Sequence, residues 1–247
     1  MASFSGDGGN NSLPGSNSDD QISGLAGNDT LNGLNGADSL SGDSGNDALI
    51  GGSGNDTLDG GAGYDQVLYY RDGGTRGANV NLTSGSAIDT HGNTDTLVDI
   101  EHVTGSYQND TLRGSASGDV FHGLEGNDLI ESFAGDDILV GGDGNDTLNG
   151  GAGVDEVSYF RDGGTQGVNV NLTIGTATDT YGATDTLISI ERLYGTDFAD
   201  TLVGSAAGDL IFGEAGNDLI QSQGGNDTLV GDRGADTLDG NGGSDRV

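Results

Sequence analysis

The chain has 247 residues, 50 of them Gly, one Pro and no Cys, and carries a net charge of -33 with 32% hydrophobic and 5% aromatic content. That charge repels phosphate, which excludes nucleic acid as a partner and disfavours anionic membrane; zero Cys removes disulfides and thiolate chemistry. So little apolar content beside so much charge reads as disorder unless something neutralises the acids, and no apolar run reaches membrane-spanning length.

The N-terminus, Met1-Ala2-Ser3-Phe4-Ser5-Gly6-Asp7, has no charged and apolar leader. Together with the lack of Cys, this sets an expectation of a secreted bacterial chain exported without a leader, or of a piece cut from a longer one. From residue 6 a nine-residue plan begins, G-x-x-G-x-D-x-U-x with U apolar, clearest in Gly24-Leu25-Ala26-Gly27-Asn28-Asp29-Thr30-Leu31-Asn32. Its opening units are imperfect: Asn11 replaces Asp, Pro14 ends the first, and Ser18 replaces the second Gly. They read as a cap. The first block runs over 1–68. Residues 69–104 break the period, 105–158 restore it, 159–194 break it again and 195–247 restore it. A short period held this strictly predicts a solenoid.

The two breaks are copies. Residues 60–149 align with 150–239 without a gap, 54 of 90 positions being identical. Tyr69-Tyr70-Arg71-Asp72 recurs as Tyr159-Phe160-Arg161-Asp162, and Thr94-Asp95-Thr96-Leu97 as Thr184-Asp185-Thr186-Leu187. Val80 and Leu82, then Leu97 with Ile100, alternate at strand spacing. Two geometries fit the breaks. The favoured one continues the solenoid as coils with longer, calcium-poor loops; the other is a hairpin standing off the side.

Within one unit, the first six residues carry Gly where the backbone turns with positive φ. The last three form a short strand with one inward side chain, the eighth. Two units then make an 18-residue coil, and stacked coils repeat at roughly 4.8 Å. That stacking puts an Asp above an Asp along each edge, where like charges repel. Generic surface acidity would scatter Asp and Glu, but here Asp is phased at nine and Glu is scarce. A cation between the acids resolves the repulsion. Ca²⁺ suits, with six to eight oxygen ligands including the carbonyls of Gly-rich turns; Mg²⁺ demands a tighter octahedral cage, and zinc lacks N and S ligands.

The units resemble the RTX (repeats-in-toxin) nonapeptide of type I-secreted bacterial proteins, over about 171 of 247 residues. The resemblance implies an all-β, right-handed parallel β-roll solenoid of three repeat blocks joined by two duplicated, irregular spacers. It also implies Ca²⁺, several ions per chain, each between two turns. One turn gives the carbonyls of its second and fourth residues and its Asp; the next turn on that edge gives those of its first and third residues and its Asp. Carried onto this chain, Leu25, Gly27 and Asp29 join Gly42, Ser44 and Asp47. Leu34, Gly36 and Asp38 join Gly51, Ser53 and Asp56. Asp43, Gly45 and Asp47 join Gly60, Ala62 and Asp65. In the second block, Leu124, Gly126 and Asp128 join Gly141, Asp143 and Asp146, while Phe133, Gly135 and Asp137 join Gly150, Ala152 and Asp155. In the third, Glu214, Gly216 and Asp218 join Gly231, Arg233 and Asp236, and Gln223, Gly225 and Asp227 join Gly240, Gly242 and Asp245. The second Gly is missing before Asp20, Asp110, Asp119, Asp200 and Asp209, where Ser18, Gln108, Ser117, Phe198 and Ala207 stand. Those five acids are the weaker metal candidates.

No catalytic constellation emerges. His91, His102 and His122 become Tyr181, Arg192 and Phe212 in the second copy, so they read as structural or surface groups, and no H-E-x-x-H occurs. Glu101 and Glu191 read as turn ligands or hydrogen-bond acceptors. The rival reading is calcium-dependent polysaccharide binding, with Tyr69, Tyr70, Arg71, Tyr159, Phe160 and Arg161 as stacking platforms; against it, these aromatics cover the last apolar position where the regular turn stops. Ice binding would want an outward Thr row, and Ala26, Asn35, Ser44, Ser53 and Ala62 do not supply one. The expectation is a non-enzymatic, extracellular calcium module, disordered at low calcium and folded by it.

Overall fold

The computed structural model describes residues 1–247. The chain is an all-β parallel solenoid whose only helical element is one 3₁₀ turn, Tyr69–Arg71. It divides into two compact units, residues 1–115 with 119–123, and residues 116–118 with 124–247.

In the first unit two sheets form from alternate strands. One stacks Ala2–Ser5, Asp20–Ser23, Ser39–Ser41 and Thr57–Asp59 in parallel; the other stacks Ser12–Pro14, Thr30–Asn32, Ala48–Ile50, Gln66–Leu68 and His102–Thr104. Register follows the repeat, with Ile22 opposite Leu40 and Leu31 opposite Leu49, so one coil takes 18 residues. The second unit repeats the plan, with Leu129–Glu131 beside Thr147–Asn149 and Ile138 opposite Glu156.

The core is the eighth residue of the units between the two terminal coils. Leu31, Leu49, Leu58, Leu112, Ile130, Leu139, Leu148, Leu202 and Ile220 are all fully buried. A three-residue strand offers one inward side chain, so each coil buries two large apolar groups between its sheets. At about 1.5–3 kcal/mol for each buried side chain, this is a thin core for a chain so rich in Gly, whose ordering is entropically costly.

Each spacer stays in the stack as one enlarged coil rather than standing off the side as a hairpin. In the first, Asn79–Asn81, Ser86–Ile88 and Thr94–Val98 form an antiparallel meander lying within the sheet. Thr94–Val98 pairs in parallel with Thr57–Asp59, and Asn79–Asn81 in parallel with Thr111–Arg113. The chain therefore steps ahead, turns back along the sheet and then resumes, while the opposite sheet passes directly from Gln66–Leu68 to His102–Thr104. The second spacer does the same with Asn169–Asn171, Thr176–Thr178 and Thr184–Ile188. The physical reason is inward alternation. Val80, Ala87 and Leu97 are each buried beneath this sheet, so all three strands contribute to the core, which a projecting hairpin would forfeit.

Candidate metal centre

Each regular turn takes its shape from two left-handed residues. At the second position Leu25 has φ 76°, Leu34 φ 76° and Asp43 φ 70°; at the fourth, Gly27 has φ 113° and Gly45 φ 134°. The first is a rare conformation for a side-chain-bearing residue. The fourth position excludes side chains for a further reason: a Cβ on Gly45 would run into the carbonyl oxygen of Gly27 in the turn below. The sixth-position Asp then points inward. Asp29, Asp47 and Asp56 are 2% exposed.

These acids form continuous columns. Asp20 N–H donates to Asp38 Oδ1 (2.8 Å) and Asp38 N–H to Asp56 Oδ1 (2.8 Å). On the other edge Asp29 N–H donates to Asp47 (2.6 Å) and Asp47 N–H to Asp65 (2.7 Å). In the second unit the same bond joins Asp128 to Asp146, Asp137 to Asp155, Asp218 to Asp236 and Asp227 to Asp245. Every candidate pair is thus stacked turn on turn at a spacing of 18 residues.

The second carboxylate oxygen distinguishes two kinds of turn. In open turns Oδ2 is buried and accepts no hydrogen bond, at Asp29, Asp38, Asp47, Asp56, Asp65, Asp146, Asp155, Asp218 and Asp227. An orphaned buried acceptor costs about 1–3 kcal/mol, more when charged. Burial, followed by the Asp56 and Asp20 charges, raises Asp38 to about 6. Burial raises Asp146 and Asp218 to about 6 as well, with neighbouring carboxylates adding to it. A Cβ on Gly24 would fill the space between Asp29 Oδ2 and the Gly42 carbonyl oxygen, and one on Gly42 the space between Asp47 Oδ2 and the Gly60 carbonyl oxygen. This oxygen-lined cradle, with an unsatisfied anion on one wall, fits a hard cation. Nowhere do three His, Cys, Asp or Glu side chains alone make a metal-holding group, so turn carbonyls must complete any shell. At the first position of two turns the Ser132 hydroxyl donates to the Gly150 carbonyl (2.7 Å) and Ser222 to that of Gly240 (3.0 Å), replacing the Gly of the other open turns.

Closed turns satisfy their own acid. Ser16 donates to Asp20 Oδ2 through its N–H (2.6 Å) and its hydroxyl (2.8 Å). Ser106 does so to Asp110 through both groups, Thr196 to Asp200 and Ser205 to Asp209, and Ser115 N–H donates to Asp119 Oδ2. These are the five turns that lack the second Gly. The signal that closes them lies in the sequence at another place, a Ser or Thr in the second position, which local side chain to backbone bonding favours.

The spacers extend each column by one acid from outside the nine-residue phase. Asp56 N–H donates to Asp95 Oδ1 (3.0 Å) and Asp65 N–H to Glu101 Oε2 (2.9 Å). In the second copy Asp146 N–H donates to Asp185 (3.1 Å) and Asp155 N–H to Glu191 (3.0 Å). Glu101 and Glu191 are thus acceptors at turn positions. Asp95 and Asp185 were hidden because only folding sets them above Asp56 and Asp146.

Two of the six proposed stacking residues face inward. Tyr69 is 1% and Tyr159 2% exposed, so neither is a platform for a sugar; each fills the core where the coil widens into the meander. Tyr70 is half-buried and meets Tyr107 edge-on at 5.9 Å. Phe160, Arg71 and Arg161 stay at the surface. The histidines make structural contacts: the His91 ring bonds the Asp72 carbonyl (3.0 Å), and His102 lies against Gln66 and His122.

Comparison with known families adds one match and one absence. A family profile described as the RTX calcium-binding nonapeptide repeat (4 copies) matches residues 5–40, 32–67, 99–130, 131–158, 194–229 and 223–247, passing over most of both spacers. No curated protein matches the chain.

Proposed function

The chain belongs to the RTX calcium-binding nonapeptide-repeat family, and from that premise we propose that it is a structural module that folds when calcium loads its open turns after secretion. The observation that carries this reading is the row of orphaned Oδ2 atoms at Asp29, Asp38, Asp47, Asp56, Asp65, Asp146, Asp155, Asp218 and Asp227, facing an oxygen-lined cradle. The holding residues are those of the turn pairs Asp29 with Asp47, Asp38 with Asp56, Asp47 with Asp65, Asp128 with Asp146, Asp137 with Asp155, Asp218 with Asp236 and Asp227 with Asp245. Bound calcium supplies positive charge and a demand for oxygen ligands. The chain's own part follows from its charge. With -33 on 247 residues and so thin a core, the carboxylates hold the Gly-rich coil open at low calcium. At extracellular calcium, binding free energy becomes folding free energy. A chain that stays unfolded in a calcium-poor cytosol and sets after exit suits export through a narrow channel.

Glycan binding is the weaker reading, since Tyr69 and Tyr159 are buried and only Phe160, Tyr70 and the two Arg remain for it. The test is circular dichroism with and without chelator on the full chain, beside a count of bound calcium. We expect the β signal to collapse on chelation and return with calcium. Equal β content in both states would reject calcium-driven folding.

A further inference from the structure

The spacers gather buried acids that the nonapeptide turns do not use. In the first, Asp72 sits on the loop after the 3₁₀ turn and accepts the Gly52 N–H (3.2 Å). It joins Asp56 and Asp95, stacked at the edge, and Asp89; burial raises Asp56, Asp72 and Asp95, and the Asp89 charge adds to it. The second copy gathers Asp146, Asp162, Asp179 and Asp185, each 90 residues on, and there the Tyr159 hydroxyl donates to Asp185 Oδ2 (2.9 Å). Asp89 and Asp179 are fully buried, and Asp95 and Asp185 are no more than 2% exposed. Burial first, then the neighbouring charges, holds Asp72 up at about 8 and Asp162 at about 9.

Acids alone do not make a site; unsatisfied groups aimed among them point to a ligand. The Tyr69 hydroxyl, 1% exposed and close to all four acids of its cluster, has no hydrogen-bond partner. Asp179 Oδ2 has none either, because Ala183 stands where Asn93 donates to Asp89 Oδ2 (3.0 Å) in the first copy. Neither oxygen of Asp162 is satisfied; the Gly142 N–H lies near without closing a hydrogen bond. The loop that carries the extra acid is pinned in both copies by different chemistry at one spot. The His91 ring holds the Asp72 carbonyl (3.0 Å), and the Tyr181 hydroxyl donates to that of Asp162 (2.7 Å). Protonation would remove the charge but add O–H donors to a pocket already holding an unpartnered one. A hard cation removes the charge and uses the free oxygens.

We infer that each spacer holds one divalent cation of the calcium type, taken by Asp56, Asp95 and Asp72 in the first copy and by Asp146, Asp185 and Asp162 in the second. The inference rests on the reading that the columns load calcium, and it adds sites in the segments expected to be calcium-poor. As the side chains stand no three acids close on one point, so backbone carbonyls share the shell. An open-turn pair offers two carboxylates and a spacer offers three, with a fourth behind. More ligand charge means tighter binding, so the spacer ions are the last to leave.

The test is calcium binding to the full chain by equilibrium dialysis against graded chelator, for wild type and for the double variant Asp72→Asn with Asp162→Asn. We expect the wild type to retain a tight class of ions, and the variant to lose it, those ions binding about tenfold more weakly. Terbium titration is the second readout. Tyr69 and Tyr159 lie beside the acids, so the first Tb³⁺ bound gives tyrosine-sensitised emission, and the variant loses that early phase. Unchanged affinity and unchanged early emission in a variant that folds in calcium would overturn the spacer sites. A wild type that binds no calcium would instead sink the proposed function itself.

Discussion

The turn Gly24–Asp29 and the turn Gly105–Asp110 occupy the same kind of place in the coil and treat the same carboxylate in opposite ways. In the first, Leu25 and Gly27 both take positive φ, and Asp29 Oδ2 is left buried with no partner. In the second, Ser106 sits where Leu25 does, and its N–H (2.6 Å) and hydroxyl (2.8 Å) cap Asp110. A serine at the second position therefore competes with a cation for one oxygen pair. The open turn leaves a buried carboxylate oxygen unanswered; the closed turn answers it with its own Ser. Closed turns open the second and third blocks and precede the first open turn on their edge of the first.

Substituting the shared acid should separate the two kinds most strongly. Asp47 belongs to two turn pairs, so Asp47→Ala should raise the calcium midpoint of folding by roughly tenfold or more. Asp110→Ala should leave that midpoint in place and cost about 1–3 kcal/mol in calcium, for the N–H groups of Ser106 and Ala78 that it strands. A calcium titration followed by circular dichroism reads both, and equal midpoint shifts would erase the distinction.

Backbone shape gives the next effect. Gly45→Ala sets a Cβ against the Gly27 carbonyl at φ 134°, and we expect a loss of about 1–3 kcal/mol by chemical denaturation in calcium. Gln108→Ala, at the same position of a closed turn, should stay within about 0.5 kcal/mol. Converting one kind to the other sharpens the case: Leu34→Ser with Gly36→Ser should give a folded chain that binds one calcium ion fewer by dialysis.

The smallest effect is acid dependence without calcium. Asp38 and Asp218 are raised to about 6 when folded, against 3.8 for the ordinary carboxylate. The folded state then binds more protons than the unfolded one, so the calcium-free roll should gain stability as pH falls through about 6 toward 4. Circular dichroism of the chelated chain at pH 7 and pH 5 measures it as regained β signal, and less β signal at pH 5 would contradict the sign.

The blocks were legible because every determinant of a regular unit is local. The eighth residue meets the core, the fourth must be Gly, and the sixth stacks on its counterpart 18 residues away, as Leu31, Gly27 and Asp29 do. The five turns with a missing Gly are marked in the sequence too, but what closes them is the Ser or Thr at the second position, which bonds the Asp only once the turn is folded.

The sequence by itself thus determined the repeat, the coil length, the buried column and the acid edges, since each follows from a short pattern that recurs in one environment. Only the tertiary structure decided the path of the spacers. Val80, Ala87 and Leu97 reach the core solely because an antiparallel meander lies within the sheet, and that pairing joins strands distant in sequence. The same non-local pairing lifted Asp95 over Asp56 and Glu101 over Asp65, and brought Asp72 and Asp89 beside them. No period announces such a gathering, because its members meet only once the chain has doubled back.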